Sequence, residues 1–207
     1  MEYKKIVCPC CNKEVSIPIS GYGKDYEFDY GTLINSEEEF FDLIDMCPEC
    51  GYVMLFDYGV SEGNREFVAS EYYQEIFKNP DIEEGLKKWI LYAVLSESYE
   101  NLTEAGIAYT KAYDYLELKN MELDQRLILK AADCFLKSAD ENESFIDLYL
   151  GVDAMRRAGE LQRAEKLLDA ACEVYKGEMV DELVWQEKMH IFLESTKKEY
   201  LDIEVPE

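Results

Sequence analysis

Histidine is nearly missing from this chain: His190 is the only one among 207 residues. Any Ser-His-Asp or Cys-His nucleophile system would have to use it, and no G-x-S-x-G turn accompanies it. His190 does form Glu187-x-x-His190 on a helical stretch, but di-iron bundles need that spacing twice. It reads as a structural histidine. Phosphate-binding signatures are also lacking. Gly21-Tyr22-Gly23 has no following glycine and helix, and no Walker-type G-K-[ST] occurs.

Positive charge is scarce. Against 45 Asp and Glu there are 21 Lys and Arg, a formal net charge of −24. Proteins that bind phosphate backbones do so through clustered Lys and Arg. The only short basic clusters are Lys4-Lys5, Lys87-Lys88, Arg156-Arg157 and Lys197-Lys198, which argues against nucleic acid. The excess acid reads as a solvated surface, or as a field that steers a basic partner. Apolar runs are short. None approaches the roughly 18–20 residues a membrane span needs, and Met1 to Cys8 holds no stretch fit for a secretory signal. The expectation is a soluble, cytoplasmic protein without a membrane partner.

Cysteine, by contrast, is plentiful and patterned. Seven are present, and four form the pairs Cys8-Pro9-Cys10-Cys11-Asn12 and Cys47-Pro48-Glu49-Cys50-Gly51. Each pair brings two thiolates to one side of a tight loop, with proline fixing φ after the first cysteine. The residue after the second cysteine requires positive φ, which glycine adopts freely and asparagine tolerates. Two such turns complete a tetrahedral site in which Cys8, Cys11, Cys47 and Cys50 hold one structural Zn2+. Four thiolates leave no open position for a catalytic water. The spacer of 35 residues between Cys11 and Cys47 suits a ribbon with an inserted loop. The competing reading is two disulfides or free thiols; in a reducing cytoplasm metal is favoured. Cys10 has two readings, a side chain tolerated at the variable position or a thiol for metal exchange and redox response. Cys134 and Cys172 lie among apolar residues at helical spacing, as small core residues do.

Two kinds of pattern divide the chain. Residues 1–64 hold six of the eleven glycines and show period-two alternation. Val15, Ile17 and Ile19 suggest an edge strand interrupted by Pro18, and 52–58 a second strand. Ser36 to Glu39 has capping-box spacing ahead of a short helix at 40–44, with a strand as the alternative. Residues 65–207 take the helical period, with helices expected at 66–78, 82–101, 104–118, 122–139, 144–158, 161–176 and 179–200. Pro80-Asp81, Thr103-Glu104, Gly159 and Gly177 mark breaks. Short connections imply antiparallel neighbours. The fold class is therefore α+β, mainly α: a small zinc-ribbon β module, then an antiparallel helical-hairpin array of about seven helices.

Ala105-x3-Tyr109-x2-Ala112 recurs as Ala132-x3-Leu136-x2-Ala139 and as Ala164-x3-Leu168-x2-Ala171, at intervals of 27 and 32 residues. Small residues so placed let a neighbouring helix approach closely. Tyr72, Tyr73, Tyr92, Tyr99, Tyr109, Tyr113, Tyr115, Tyr149, Tyr175 and Tyr200 all fall in these helices, to fill gaps or line a binding groove.

Trp89, Ala93, Ala105, Tyr109 and Ala112 resemble one tetratricopeptide-type hairpin, and Ala164, Leu168 and Ala171 repeat its second half. The whole chain resembles a bacterial family that joins a zinc ribbon to such helices, through Cys8-Pro9-x-Cys11, Cys47-Pro48-x-Cys50-Gly51-Tyr52-Val53 and Ser70-Glu71-Tyr72. The resemblance implies architecture and a bacterial source, and no reaction. The function expected is a non-enzymatic scaffold that binds a protein or peptide. A zinc- or redox-responsive regulator is the alternative, and a nucleic-acid-binding ribbon ranks last.

Overall fold

A computed structural model describes residues 3–18, 44–54 and 62–192. The front part is built from two small antiparallel pairs. Strand β1 (Tyr3–Val7) pairs with β2 (Glu14–Pro18), placing Ile6 opposite Val15. Strand β3 (Asp45–Met46) pairs with β4 (Val53–Met54). Val15 and Ile17 are buried and Ser16 between them is exposed, as the alternation requires. Neither β1 nor β3 was expected from sequence. Ile19, the helix at 40–44 save Ile44, and most of the expected strand 52–58 lie outside the described residues.

Eight helices follow among the described residues. They are α1 (Glu62–Val68), α2 (Glu71–Lys78), α3 (Glu84–Glu97), α4 (Leu102–Leu118), α5 (Gln125–Asn142), α6 (Phe145–Arg157), α7 (Leu161–Val174) and α8 (Glu178–Phe192). The single helix expected at 66–78 is two. Ser70 breaks it, its backbone extended and its hydroxyl accepting from the Tyr73 N–H, so it serves as the N-cap of α2. Thr103-Glu104 was expected to mark the break before α4. The helix instead begins at Leu102, and the Thr103 hydroxyl sits between Ser138 of α5 and Asp147 of α6. From α3 onward each helix packs on the next.

Four successive helices end the same way. The N–H of Asn101, Met121, Ser144 and Glu160 each reaches back five residues to a carbonyl, on Ser96, Leu116, Ala139 and Met155. The residue before each donor has positive φ: Glu100, Asn120, Glu143 and Gly159. This is the Schellman turn, which satisfies carbonyls that the helix leaves open. Its repetition reverses the chain at similar points along the array.

The alanines of the repeated pattern are all buried, together with Trp89, Tyr109 and Leu168. Helix α5 shows why small residues matter. A Cβ on Gly106 of α4 would lie 2.7 Å from the Phe135 ring, and one on Gly151 of α6 would lie 2.8 Å from Leu136. Two adjacent large residues of α5 thus press into glycine-made hollows on either neighbour. Buried apolar side chains form one connected cluster, from Cys8 at the front to Ile191 in α8.

The Arg156-Arg157 pair, a basic cluster in sequence, is inside the protein. Arg156 is fully buried and bonds Glu187 of α8 at 2.8 Å and Asp153. Arg157 bonds Asp114 and Glu117 of α4 at 2.6 and 3.0 Å, and lies over the Tyr113 ring. Burial alone would lower the Arg157 pKa, but the Asp114 carboxylate beside it holds the guanidinium charged. These pairs tie helices two apart in sequence, α4 to α6 and α6 to α8. Removing one partner of such a pair costs more than replacing both. Arg157→Met should therefore lower stability in urea unfolding by about 3–5 kcal/mol, and adding Asp114→Leu should recover most of it. Equal loss in both variants would mean that the pair itself is not what matters there.

Candidate metal centre

Each C-x-x-C segment folds by local hydrogen bonds into the same turn. In the first, the Cys8 N–H donates to the Lys13 carbonyl and the Asn12 N–H to the Cys8 carbonyl, both at 2.8 Å. In the second, the Cys47 N–H donates to Tyr52 at 2.8 Å and the Gly51 N–H to Cys47 at 2.9 Å. Asn12 and Gly51, one residue past each second cysteine, have φ of 59° and 77°. The requirement for positive φ anticipated from sequence is met at both.

The two turns face each other. The sulfurs of Cys8, Cys11, Cys47 and Cys50 all lie within 4.8 Å of one another. Across the turns, Cys8 Sγ is 3.8 Å from Cys50 Sγ, and Cys11 Sγ is 3.9 Å from Cys47 Sγ. A tetrahedron with metal–sulfur distances of about 2.3 Å has sulfur–sulfur edges of about 3.8 Å. The donor set fits a metal ion. It does not fit the competing disulfides, since a bridge needs about 2.05 Å and all seven cysteines are free.

Burial and backbone polarity act in opposition on these thiols. Burial pushes Cys8 up to about 11, against the Cys11 and Cys10 N–H groups that pull it down. Burial pushes Cys50 up as well, against the Tyr52 N–H. Cys11 is lowered: burial is the largest single influence and raises it, but the Lys13 N–H and the thiols of Cys8, Cys50 and Cys47 together outweigh it. N–H groups aimed at three of the four sulfurs suit anionic thiolates, the form in which a metal takes them.

The helices hold the turns through their carbonyls. The buried Tyr73 hydroxyl donates to the Gly51 carbonyl at 2.9 Å. Gln74 Nε2 donates to the carbonyls of Cys50 and Val68 at 2.9 and 2.8 Å, and Arg65 Nη2 to that of Pro9 at 3.1 Å. A Lys13–Glu49 pair at 2.5 Å links the two turns on the outside. None of Arg65, Tyr73 or Gln74 was singled out from sequence for this work. The only available hint was the placement of Ser70-Glu71-Tyr72 at the start of the helical part.

Cys10 is nearly buried, 8% exposed, and interacts with the Cys50 thiol without joining the four-sulfur group. Cys134 is buried as a core residue would be, and Cys172 is half-buried. His190 is half-buried on α8, and Glu187 of the Glu187-x-x-His190 spacing is committed to Arg156. The tyrosines now separate. Tyr73, Tyr109, Tyr113, Tyr115 and Tyr149 are buried, Tyr92 and Tyr175 half-buried, and Tyr72 and Tyr99 exposed, while Tyr200 lies outside the described residues.

Gly51 is the residue on which the second turn is most exacting. An added Cβ would meet the Phe77 ring at 2.5 Å, on top of the positive φ. Gly51→Ala should cost about 2–4 kcal/mol from left-handed strain plus crowding, read by urea unfolding of the metal-loaded protein. Asn12→Ala should cost about 1 kcal/mol from loss of local support alone. Similar values for both would place the constraint outside the turn geometry.

No helix among the described residues is long and apolar enough to cross a membrane. Compared with protein-family models, curated proteins and solved structures, the chain matches none.

Proposed function

We propose that Cys8, Cys11, Cys47 and Cys50 hold one structural Zn2+ that fixes the front of a helical scaffold whose work is binding a protein or peptide. The observation that carries the metal assignment is the convergence of four sulfurs at tetrahedral edge lengths. Zinc is favoured because four thiolates in a closed tetrahedron suit it, and because it needs no redox partner. With no open coordination position the ion would organise structure and activate no water, in keeping with a non-enzymatic role. The scaffold reading rests on tetratricopeptide-like hairpins: α3 with α4, and α6 with α7, present the small–large–small faces buried between helices. The acidic balance favours a basic partner over nucleic acid, and thiols gathered for metal suit a reducing, cytoplasmic setting.

Metal analysis of the purified full chain should give one zinc per chain. Cys47→Ser should lose it and lower the thermal midpoint, since structural zinc contributes on the order of 10–16 kcal/mol to small metal-folded units. Protein that is folded and free of metal would refute the assignment. For the scaffold, a thermal-shift screen in which only small molecules stabilise the protein would count against it.

Cys10 supports a second reading, a zinc- or redox-responsive regulator, because it packs against Cys50 at the edge of the site. On that reading Cys10→Ser changes the rate of zinc release under peroxide. An unchanged rate leaves Cys10 as a buried side chain and no more.

A further inference from the structure

Large apolar side chains on most of this surface stand singly, which is ordinary. Helix α8 is different. It buries Leu183, Val184, Glu187 and Ile191 against the array. The opposite face carries Trp185, Met189 and Phe192, which are 64%, 38% and 79% exposed. Their spacing of four and three residues stacks them into one stripe along the helix. Contiguous exposed apolar side chains rimmed by polar residues mark interaction surfaces, whereas scattered ones do not.

The chemistry around the stripe says what kind. Phe192 also borders a cleft of about 560 Å³ between the start of α7 and the end of α8, which Glu160, Leu161, Glu165 and Ile191 help to line. Glu160 and Glu165 make no ion pair among the described residues. Asp181 and Glu182, on the first turns of α8, are exposed. Lys188, the one cation on the same helix, is tied to Asp169 at 2.6 Å. Arg163 and Lys166 of α7 lie beside Glu160 and Glu165, yet residues 160–192 as a whole hold eight Asp and Glu against four Lys and Arg. A second copy of the chain would bring the same excess of acid to this edge, and like charges oppose that contact. A cationic partner meets the opposite situation.

We propose that the α7–α8 edge docks a basic amphipathic helix, whose apolar face lies along Trp185, Met189 and Phe192 while a Lys or Arg side chain enters the cleft between Glu160 and Glu165. This deepens the scaffold reading, on which it rests, by naming the partner's chemistry and the face it uses. The mode is the familiar one of an apolar helix face laid on a complementary surface, with charge supplying orientation and association rate.

The test uses the full chain and a designed peptide of Leu and Lys, about 18 residues or five helical turns. Two controls accompany it: a Leu and Glu counterpart, and the Leu and Lys composition scrambled so that no apolar face forms. Trp185 is exposed and Trp89 is 5% exposed, so a blue shift on binding reports on α8. The Leu and Lys helix should bind with a blue shift and weaken as salt is raised, while both controls should bind far less. Trp185→Ser with Met189→Ser should weaken binding at least about tenfold, read by anisotropy of a labelled peptide. Glu160→Gln with Glu165→Gln should weaken it less and flatten the salt dependence. Equal binding of the scrambled peptide would overturn the proposal in favour of general attraction to an acidic surface. Binding that survives both double variants would overturn the α8 site and leave the scaffold reading in place. Sedimentation showing a wild-type dimer that Trp185→Ser with Met189→Ser separates would assign the stripe to a second copy and also overturn it.

Discussion

Four sulfur atoms meeting at one point impose the constraint from which the front of this protein takes its shape. Strands of five and two residues cannot bury enough apolar surface to hold themselves together. What joins the two pairs is the encounter of their C-x-x-C turns, each with its own hydrogen bonds and its own positive-φ residue. A cation shared by the four thiolates, as proposed, would turn that encounter from a crowded set of buried thiols into a cross-link between segments 36–42 residues apart.

The consequences pass into the helices through oxygen rather than sulfur. The carbonyls of Pro9, Cys50 and Gly51 point outward from the turns and accept from Arg65, Gln74 and Tyr73. These are backbone acceptors, placed only as well as the turns that carry them. The start of the helical array is therefore set in register with the metal centre. Beyond α2 a different logic takes over: short Schellman reversals fix where each helix stops, and glycine hollows fix how near its neighbour comes. Buried arginine–carboxylate pairs then connect helices that are not consecutive. The two regions share one continuous core.

The centre was readable from sequence because its determinants are local. Cysteine, proline and a residue tolerant of positive φ fall at fixed offsets, so both turns and all four sulfurs could be named. The helical face of Ala105, Tyr109 and Ala112 was readable for the same reason, since periodicity reports burial directly. Helix ends were harder. Gly159 announced its turn, but Glu100 and Glu143 adopt the same left-handed backbone without any glycine to signal it. Ser70 lay inside an unbroken apolar period, so one helix was expected where its capping hydroxyl makes two. Least visible were Arg157 and Asp114, which look like surface charge until the fold places them opposite each other. The one available cue was a charged residue at a position where the helical period asks for an apolar one.

X-ray absorption at the zinc edge of the purified protein reads whether sulfur alone coordinates the metal. Four thiolate ligands should give a single shell of four sulfur scatterers at about 2.3 Å, with no nitrogen or oxygen neighbour. A shell containing nitrogen or oxygen, or fewer than four sulfurs, would contradict that coordination.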